Sequence, residues 1–286
     1  MTGLTQKLLL GSIAASAATL AATPAFAGSF TITGTDYYLY DVRDSNGDGV
    51  LDQTYRNPSA SLDAILAGNR DNPGGNIELF ASSERAGTNF FAPQVTLSGQ
   101  VGSETLTLSS LNANDWFSTG SGNNYTYSGN TLATRWFNSL LTAAGQGGIV
   151  GKALGQLAFN QFLNGGGFQR SSDPNISYID HSGGKINIGL AGHYNMKDVY
   201  NYSFIPNGFQ ASEVVKYTYG GVTNYLYNFN ATATGLKELS DGKSHSGNYE
   251  VSLTAISIPE PSMMVGLMSL GGMLAATKKR KEVKAS

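Results

Sequence analysis

The segment VVKYTYGGVTNYLYNF, Val214 to Phe229, sets two runs of β-branched and aromatic residues on either side of Gly220-Gly221. A two-residue hairpin loop requires positive φ at its centre, which glycine supplies at no steric cost. The stretch therefore predicts an antiparallel hairpin, Val214–Tyr219 against Val222–Phe229. Outward from it, similar strand signals recur between turn-forming Gly, Ser and Asn residues: Tyr37–Val42, Ile77–Phe80, Gln94–Leu97, Thr105–Leu108, Lys185–Leu190 and Tyr249–Ile256. Thr105-Leu106-Thr107-Leu108 alternates polar and apolar, which predicts one wet face.

The helical period appears in two places. Asn57-Pro58 reads as a cap and first turn ahead of SASLDAILA, closed by Gly68. Leu132, Trp136, Phe137, Leu140, Leu141 and Ala144 share a helical face; after Gly145-Gln146-Gly147-Gly148 the period resumes at Val150, Leu154, Leu157, Ala158 and Phe162. This predicts two helices joined by a glycine turn and ended by Gly165-Gly166-Gly167, their apolar faces buried against a sheet. The polar faces lack the Lys and Arg of a membrane-active hairpin. No fixed-period repeat is visible. The fold class expected is mainly β, with antiparallel sheets in a sandwich-like body and a central helical pair.

Composition narrows the setting. Charged residues are 13% of the 286-residue chain, against about 25% in a typical soluble domain. With 36 Gly and 15 Tyr, the surface is polar through hydroxyls and amides, as suits an extracellular β-rich protein. There is no cysteine, which excludes disulfides, thiolate metal sites and cysteine nucleophiles. The last 28 residues hold five bases and two acids and the first 27 one base, so the body from Gly28 to Ile258 is −6 within a total of −2. An acidic body offers no electrostatic footprint for nucleic acid.

Both ends carry sorting information. Lys7, then LLLGSIAASAATLAA, then an A-x-A site at Ala25 and Ala27 make residues 1–27 a signal peptide. This predicts export through the Sec machinery and cleavage by signal peptidase, leaving Gly28 first; the competing reading is an uncleaved anchor. At the other end Pro259-Glu260-Pro261 precedes an apolar segment, Met263 to Thr277, and the basic cluster Lys278, Lys279, Arg280 and Lys281. Fifteen residues span about 22 Å as a helix, short of the ~30 Å bilayer core. Snorkelling lysines cover part of the deficit, and the positive-inside rule puts the body across the membrane.

That order of parts, over residues 259–286, resembles the PEP-CTERM sorting signal. The resemblance implies recognition by an exosortase, transient anchoring in the inner membrane, cleavage near Pro-Glu-Pro, and release to the cell envelope, outer surface or exterior, often in association with exopolysaccharide or biofilm matrix. The extension Glu282 to Ser286 departs from the usual basic end, and a plain C-terminal anchor is the alternative. Within the body, Phe168-Gln169-Arg170, Asp173 to Tyr178 and Gly189 to His193 resemble a cyanobacterial PEP-CTERM family of unknown function, which brings no activity with it.

One loop has metal-ligand spacing. Asp44-Ser45-Asn46-Gly47-Asp48-Gly49-Val50-Leu51-Asp52 is similar to the D-x-N-x-D-G-x-x-D opening of EF-hand, dockerin and thrombospondin-type calcium loops. Calcium takes six to eight oxygens. Asp44, Asn46 and Asp48 offer side-chain oxygens, Val50 its carbonyl, and Asp52 a direct or water-mediated ligand. The twelfth position is Tyr55 rather than Glu, which weakens the site or requires a ligand from elsewhere. The role expected of Ca2+ is structural; the competing reading is a solvated Asp/Asn/Gly turn.

No catalytic constellation is legible. His181, His193 and His245 have no tight ligand spacing and read as surface or strand-end residues. Asp180-His181-Ser182 sets triad residue types side by side, but triads form by convergence, and no G-x-S-x-G elbow exists. Gly242-Lys243-Ser244 lacks the upstream glycine of a phosphate loop. Glycan hydrolysis needs only two carboxylates, for which Glu78, Glu84, Asp115, Asp180 and Glu213 are available. Trp116, Tyr125, Tyr127, Tyr225 and Tyr227 are candidates for a sugar-stacking face or for core. The expectation is an exported, non-enzymatic surface or extracellular-matrix protein associated with exopolysaccharide; the alternatives are a glycan-binding module or a polysaccharide-acting hydrolase.

Overall fold

The computed structural model describes residues 29–85, 87–118, 125–127, 129–200 and 202–255. The signal-peptide site at Ala25 and Ala27 and the sorting tail, with Pro259, Glu260, Pro261 and the cluster at 278–281, lie outside the described residues. Among those described, no helix is long and apolar enough to cross a membrane.

Along the chain, β1 (Thr31–Thr33), β2 (Tyr37–Arg43) and β3 (Gln53–Arg56) precede a short helix, α1 (Leu62–Leu66). Strands β4 (Asn76–Leu79), β5 (Thr96–Val101) and β6 (Glu104–Ser109) lead into α2 (Ala113–Phe117), α3 (Leu132–Ala143), α4 (Ala153–Asn164) and α5 (Gly167–Arg170). Then come β7 (Asn175–Ser182), β8 (Lys185–Gly192), β9 (Val215–Tyr219), β10 (Val222–Leu226), β11 (Thr232–Ala233), β12 (Lys237–Glu238) and β13 (Gly247–Thr254).

The described strands form a five-stranded sheet, β1-β5-β6-β9-β10, and an eight-stranded sheet, β11-β13-β8-β7-β4-β2-β3-β12. Every pairing is antiparallel except that of β12 with β3. The protein is thus mainly β, with few helices. The β9–β10 hairpin turns where its glycines stand: Tyr219 faces Val222, and Gly220 and Gly221 have φ of 56° and 75°. Leu97, Leu106, Leu108 and Val215 of one sheet and Ile77, Ile176, Ile188 and Leu190 of the other meet in a single core cluster. Within the larger sheet, Tyr178 pairs with Gly189, where a Cβ would lie 2.2 Å from the Tyr178 ring. The ring therefore packs across the strand only because position 189 has no side chain.

The helical pair forms, and its apolar faces are buried in a core of their own, against which Tyr225 of β10 packs. Trp116, Trp136, Phe137, Phe159, Phe162 and Phe168 build a second, aromatic core with Phe204 and Phe209 from the segment after β8. Phe168 is its hub, 5.1 Å from Trp116, Phe159 and Phe162. In α4 the buried face is Ala158, Phe159 and Phe162, so Leu154 and Leu157 are 63% and 65% exposed, against the periodic reading. Helix α1 also starts later than Asn57-Pro58 indicates. Asn57 Oδ1 accepts from the Ser59 N–H and closes a local turn first, and the helix begins where Ser61 Oγ accepts from the Ala64 N–H.

Candidate functional site: a carboxylate-rich cleft

The order β8-β7-β4-β2 sets four adjacent strands side by side, and their register aligns Glu78 with Asn175 and Asn175 with Ala191. Around this row opens a cleft of about 450 Å³. Tyr40 comes from β2, Glu78 from β4, and Glu84 from the turn beyond. Arg170 and Asp173 flank the α5–β7 junction, Glu213 precedes β9, and His193 and Asp198 follow β8. The opposite rim is the β12–β13 loop, with Glu238, Ser240, Asp241, Lys243, Ser244 and His245.

Seven of the lining residues are acids and two, Arg170 and Lys243, are bases. Burying a carboxylate without a partner is costly, so such a group pairs with a cation or takes up a proton. Ion pairs among the described residues are Arg70–Asp71 and Lys216–Asp115; neither reaches the cleft. Burial, aided by the negative charges of Glu213 and Glu78, pushes the Asp173 carboxyl well above its ordinary range. Burial likewise raises Glu213, although the Asn175 side chain favours its ionised form. Glu78 is pushed up to about 7 by burial, against the hydrogen bond it accepts from the Tyr40 hydroxyl at 3.0 Å.

The hydrogen bonds leave acceptors over. Asp173 Oδ2 accepts from the Ser83 hydroxyl, while Oδ1, in a residue 3% exposed, has no partner. Asn175 donates through Nδ2 to the Asp173 carbonyl and to Glu213 Oε2, both at 3.2 Å, so its Oδ1 is the unpartnered atom. The backbone N–H of Asn175 also donates to Glu213 Oε2, at 3.1 Å. Ser244 Oγ donates to Asp241 Oδ2 and lies 3.2 Å from His193 Nε2. A hydroxyl has one proton to give. Nε2 therefore carries the ring proton, and Nδ1, buried without a partner, presents a bare lone pair.

Both histidines here are neutral at pH 7. Burial lowers His193, and burial above all lowers His245 to about 3. His245 is buried, with Nδ1 2.8 Å from Thr54 Oγ1 and the ring edge-on to Tyr40, which corrects the surface reading. Its φ of 63° is left-handed, a conformation uncommon outside glycine that Asn, Asp and His adopt more readily than other side chains. Burial opposes ionisation of Asp241, but the Ser244 hydroxyl and the N–H groups of Lys243 and Ser244 outweigh it and hold the carboxyl low. Ser, His and Asp do meet at this rim, in the order Asp241–Ser244–His193. A hydrolytic triad needs the acid on the histidine.

Of the five acids named from the sequence, Glu78, Glu84 and Glu213 converge here. Asp115 instead caps α2 and pairs with Lys216, and Asp180 lies on another surface beside Tyr178 and Glu250. The stacking candidates belong to the aromatic core. Trp116 is fully buried with Nε1 donating to Ser172 Oγ, and Tyr225 donates to Asp115 Oδ1. Tyr125, Tyr127 and Tyr227 are half-buried against the same core.

The calcium-type loop is the exposed tip of the β2–β3 hairpin. Asp44, Asn46 and Asp48 turn inward on their own backbone: Asp44 accepts from the N–H groups of Gly47 and Gly49, Asn46 from Asp48, and Asp48 from Val50. Asp52 accepts from the Ser45 N–H and hydroxyl. The Gly49 N–H first of all holds the Asp44 carboxyl below its usual value, and the Ser45 hydroxyl does the same for Asp52. Among the described residues no group of three or more His, Cys, Asp or Glu is arranged to hold a metal ion.

Comparison with protein-family models, with curated proteins and with solved structures finds no match to this chain.

Proposed function

We propose that this is an exported envelope or extracellular-matrix protein whose body binds a glycan in the carboxylate-rich cleft. The observation that carries the reading is the surplus of acceptors there. Asp173 Oδ1, Asn175 Oδ1 and His193 Nδ1 are all buried without a donor. Buried polar groups of folded proteins are nearly always satisfied. A sugar, dense in hydroxyl donors, supplies what these atoms lack, and an acidic wall disfavours phosphate or nucleic acid. Sorting by an exosortase at Pro259-Glu260-Pro261 delivers such a binder to the exopolysaccharide outside the cell. Calcium at Asp44, Asn46, Asp48, Val50 and Asp52 is part of this reading, as a clamp on the β2–β3 tip; the ionised carboxylates of Asp44 and Asp52 support it.

The test is calorimetric titration of the secreted protein with oligosaccharides released from the producing cell's own matrix. Saturable binding that Asn175→Ala weakens supports the reading; no heat with any fraction refutes it. Hydrolysis is a second reading, favoured by one observation: Asp173, driven toward its protonated form, lies beside Glu213, which two N–H groups of Asn175 anchor. Glycoside hydrolysis uses such a proton donor and carboxylate. Release of reducing ends from the same oligosaccharides, lost in Asp173→Asn, is its signature.

A further inference from the structure

We propose that the glycan this cleft selects carries protonated primary amines, that is, an amino sugar, and that one ammonium group seats against Asp173, Asn175 and Glu213. The inference rests on the glycan reading above and narrows its ligand class. Hydroxyl groups satisfy orphaned acceptors but leave the charge problem untouched. Glu78, Asp173 and Glu213 face one another across the β4–β7 row and the chain before β9, and none has a cationic partner among the described residues. An ammonium group resolves both deficits at once. It brings one positive charge and three N–H donors on a single atom. Three acceptors stand close together there: the free Asp173 Oδ1, the free Asn175 Oδ1, and Glu213, whose Oε2 Asn175 holds in place.

The built character of the site separates it from a chance cluster of acids. Asp173 and Asn175 are 3% and 6% exposed, and each directs an unpartnered oxygen from a fixed position. Ser83 orients one through Oδ2, and the two acceptors of its Nδ2 orient the other. A compact metal ion fits less well, because the side chains here are not arranged as a three-ligand set. The neutral His193 and the low-lying Asp241 carry the polar wall on to the far rim, where sugar hydroxyls find acceptors and the ammonium donor of Lys243.

The experiment uses the secreted protein, calorimetry at pH 7 and low salt, and three probes: a glucosamine hexamer, its fully N-acetylated counterpart, and spermidine. The glucosamine hexamer is expected to bind at least about tenfold more tightly than the acetylated one, the typical worth of a hydrogen bond to a charged group. Asp173→Asn and Glu213→Gln are each expected to remove that preference. Both keep the shape of the carboxyl they replace, and the melting temperature verifies that they fold. Equal binding of the two hexamers overturns the amine inference and leaves the glycan reading standing. Spermidine binding as tightly as the glucosamine hexamer upholds the ammonium site and overturns the glycan reading. Absence of binding by all three overturns both.

Discussion

Glu78→Gln removes one proton-binding group from the cleft and keeps its shape. The glutamine Oε1 still accepts from the Tyr40 hydroxyl, and the amide faces water in the cleft. The wild-type carboxyl is pushed from 4.5 to about 7 in the folded protein. At pH between those values the native state holds a proton that the unfolded chain has released, so stability falls as pH rises through this window. At roughly 1.4 kcal/mol per pKa unit, the full loss is about 3 kcal/mol, complete above pH 7 and absent below 4.5. The variant escapes it. Urea denaturation in steps from pH 4 to 8.5 is expected to show the two proteins equal at pH 4 and the variant about 3 kcal/mol more stable at pH 8, a rise of roughly 6–12 °C in melting temperature. Parallel pH profiles, or a variant less stable at pH 8, would show that Glu78 is compensated in the folded protein and would refute the charge-deficit argument.

Trp116→Ala empties the contact between α2 and the Phe168 hub and is expected to cost about 3–5 kcal/mol by denaturant titration; a cost under 1 kcal/mol contradicts a load shared across that core. Gly189→Ala drives a methyl group into the Tyr178 ring and is expected to destabilise by about 1–3 kcal/mol, with Tyr178→Ala in the same chain cancelling part of the loss. Calcium at 100 times its dissociation constant is expected to add about 2.7 kcal/mol of stability. Asp44→Ala and Asp48→Ala should abolish that response, and a melting temperature indifferent to millimolar calcium removes the metal from the β2–β3 tip. The intact mass of the native protein is expected to correspond to a chain from Gly28 to the neighbourhood of Pro259–Pro261; a membrane-bound species that keeps residues 278–281 makes it a simple anchored protein.

What the sequence discloses of this fold is what is local. The β9–β10 hairpin is legible because its turn, its glycines and both its strands lie within sixteen consecutive residues. Strands β11 and β12, two residues each, carry no pattern, since only tertiary pairing with β13 and β3 makes them strands. Asn57 shows how a correct local signal misplaces an element: it does cap a turn, but the helix waits for Ser61. The cleft is the extreme case. Its residues run from Tyr40 to His245, and no two of its buried acids share a motif. In the sequence Glu78, Glu84 and Glu213 are legible only as carboxylates without a motif, and the stretches at 168–178 and 189–193, which carry a resemblance without an activity, supply Arg170, Asp173, Asn175 and His193 to the wall. Acceptor surplus and neutral histidines are properties of proximity, which spacing along a chain does not encode.

The one parallel pairing among the described strands, β12 with β3, has a mechanical consequence. Strand β3 is a shared beam: its N-terminal end emerges from the exposed 44–52 tip, and its flank takes hydrogen bonds from the N–H groups of Lys237 and Leu239 to the Asp52 and Thr54 carbonyls. Thr54 in turn braces His245 at the cleft. Exposed loop tips are where proteases cut. A single nick at Val50 or Leu51 would detach the beam from its turn while leaving the rest of the sheet zipped, and the rim of the cleft would lose its brace. Under proteolysis, the lifetime of the cleft rim is therefore set at a hairpin tip none of whose residues lines the cleft.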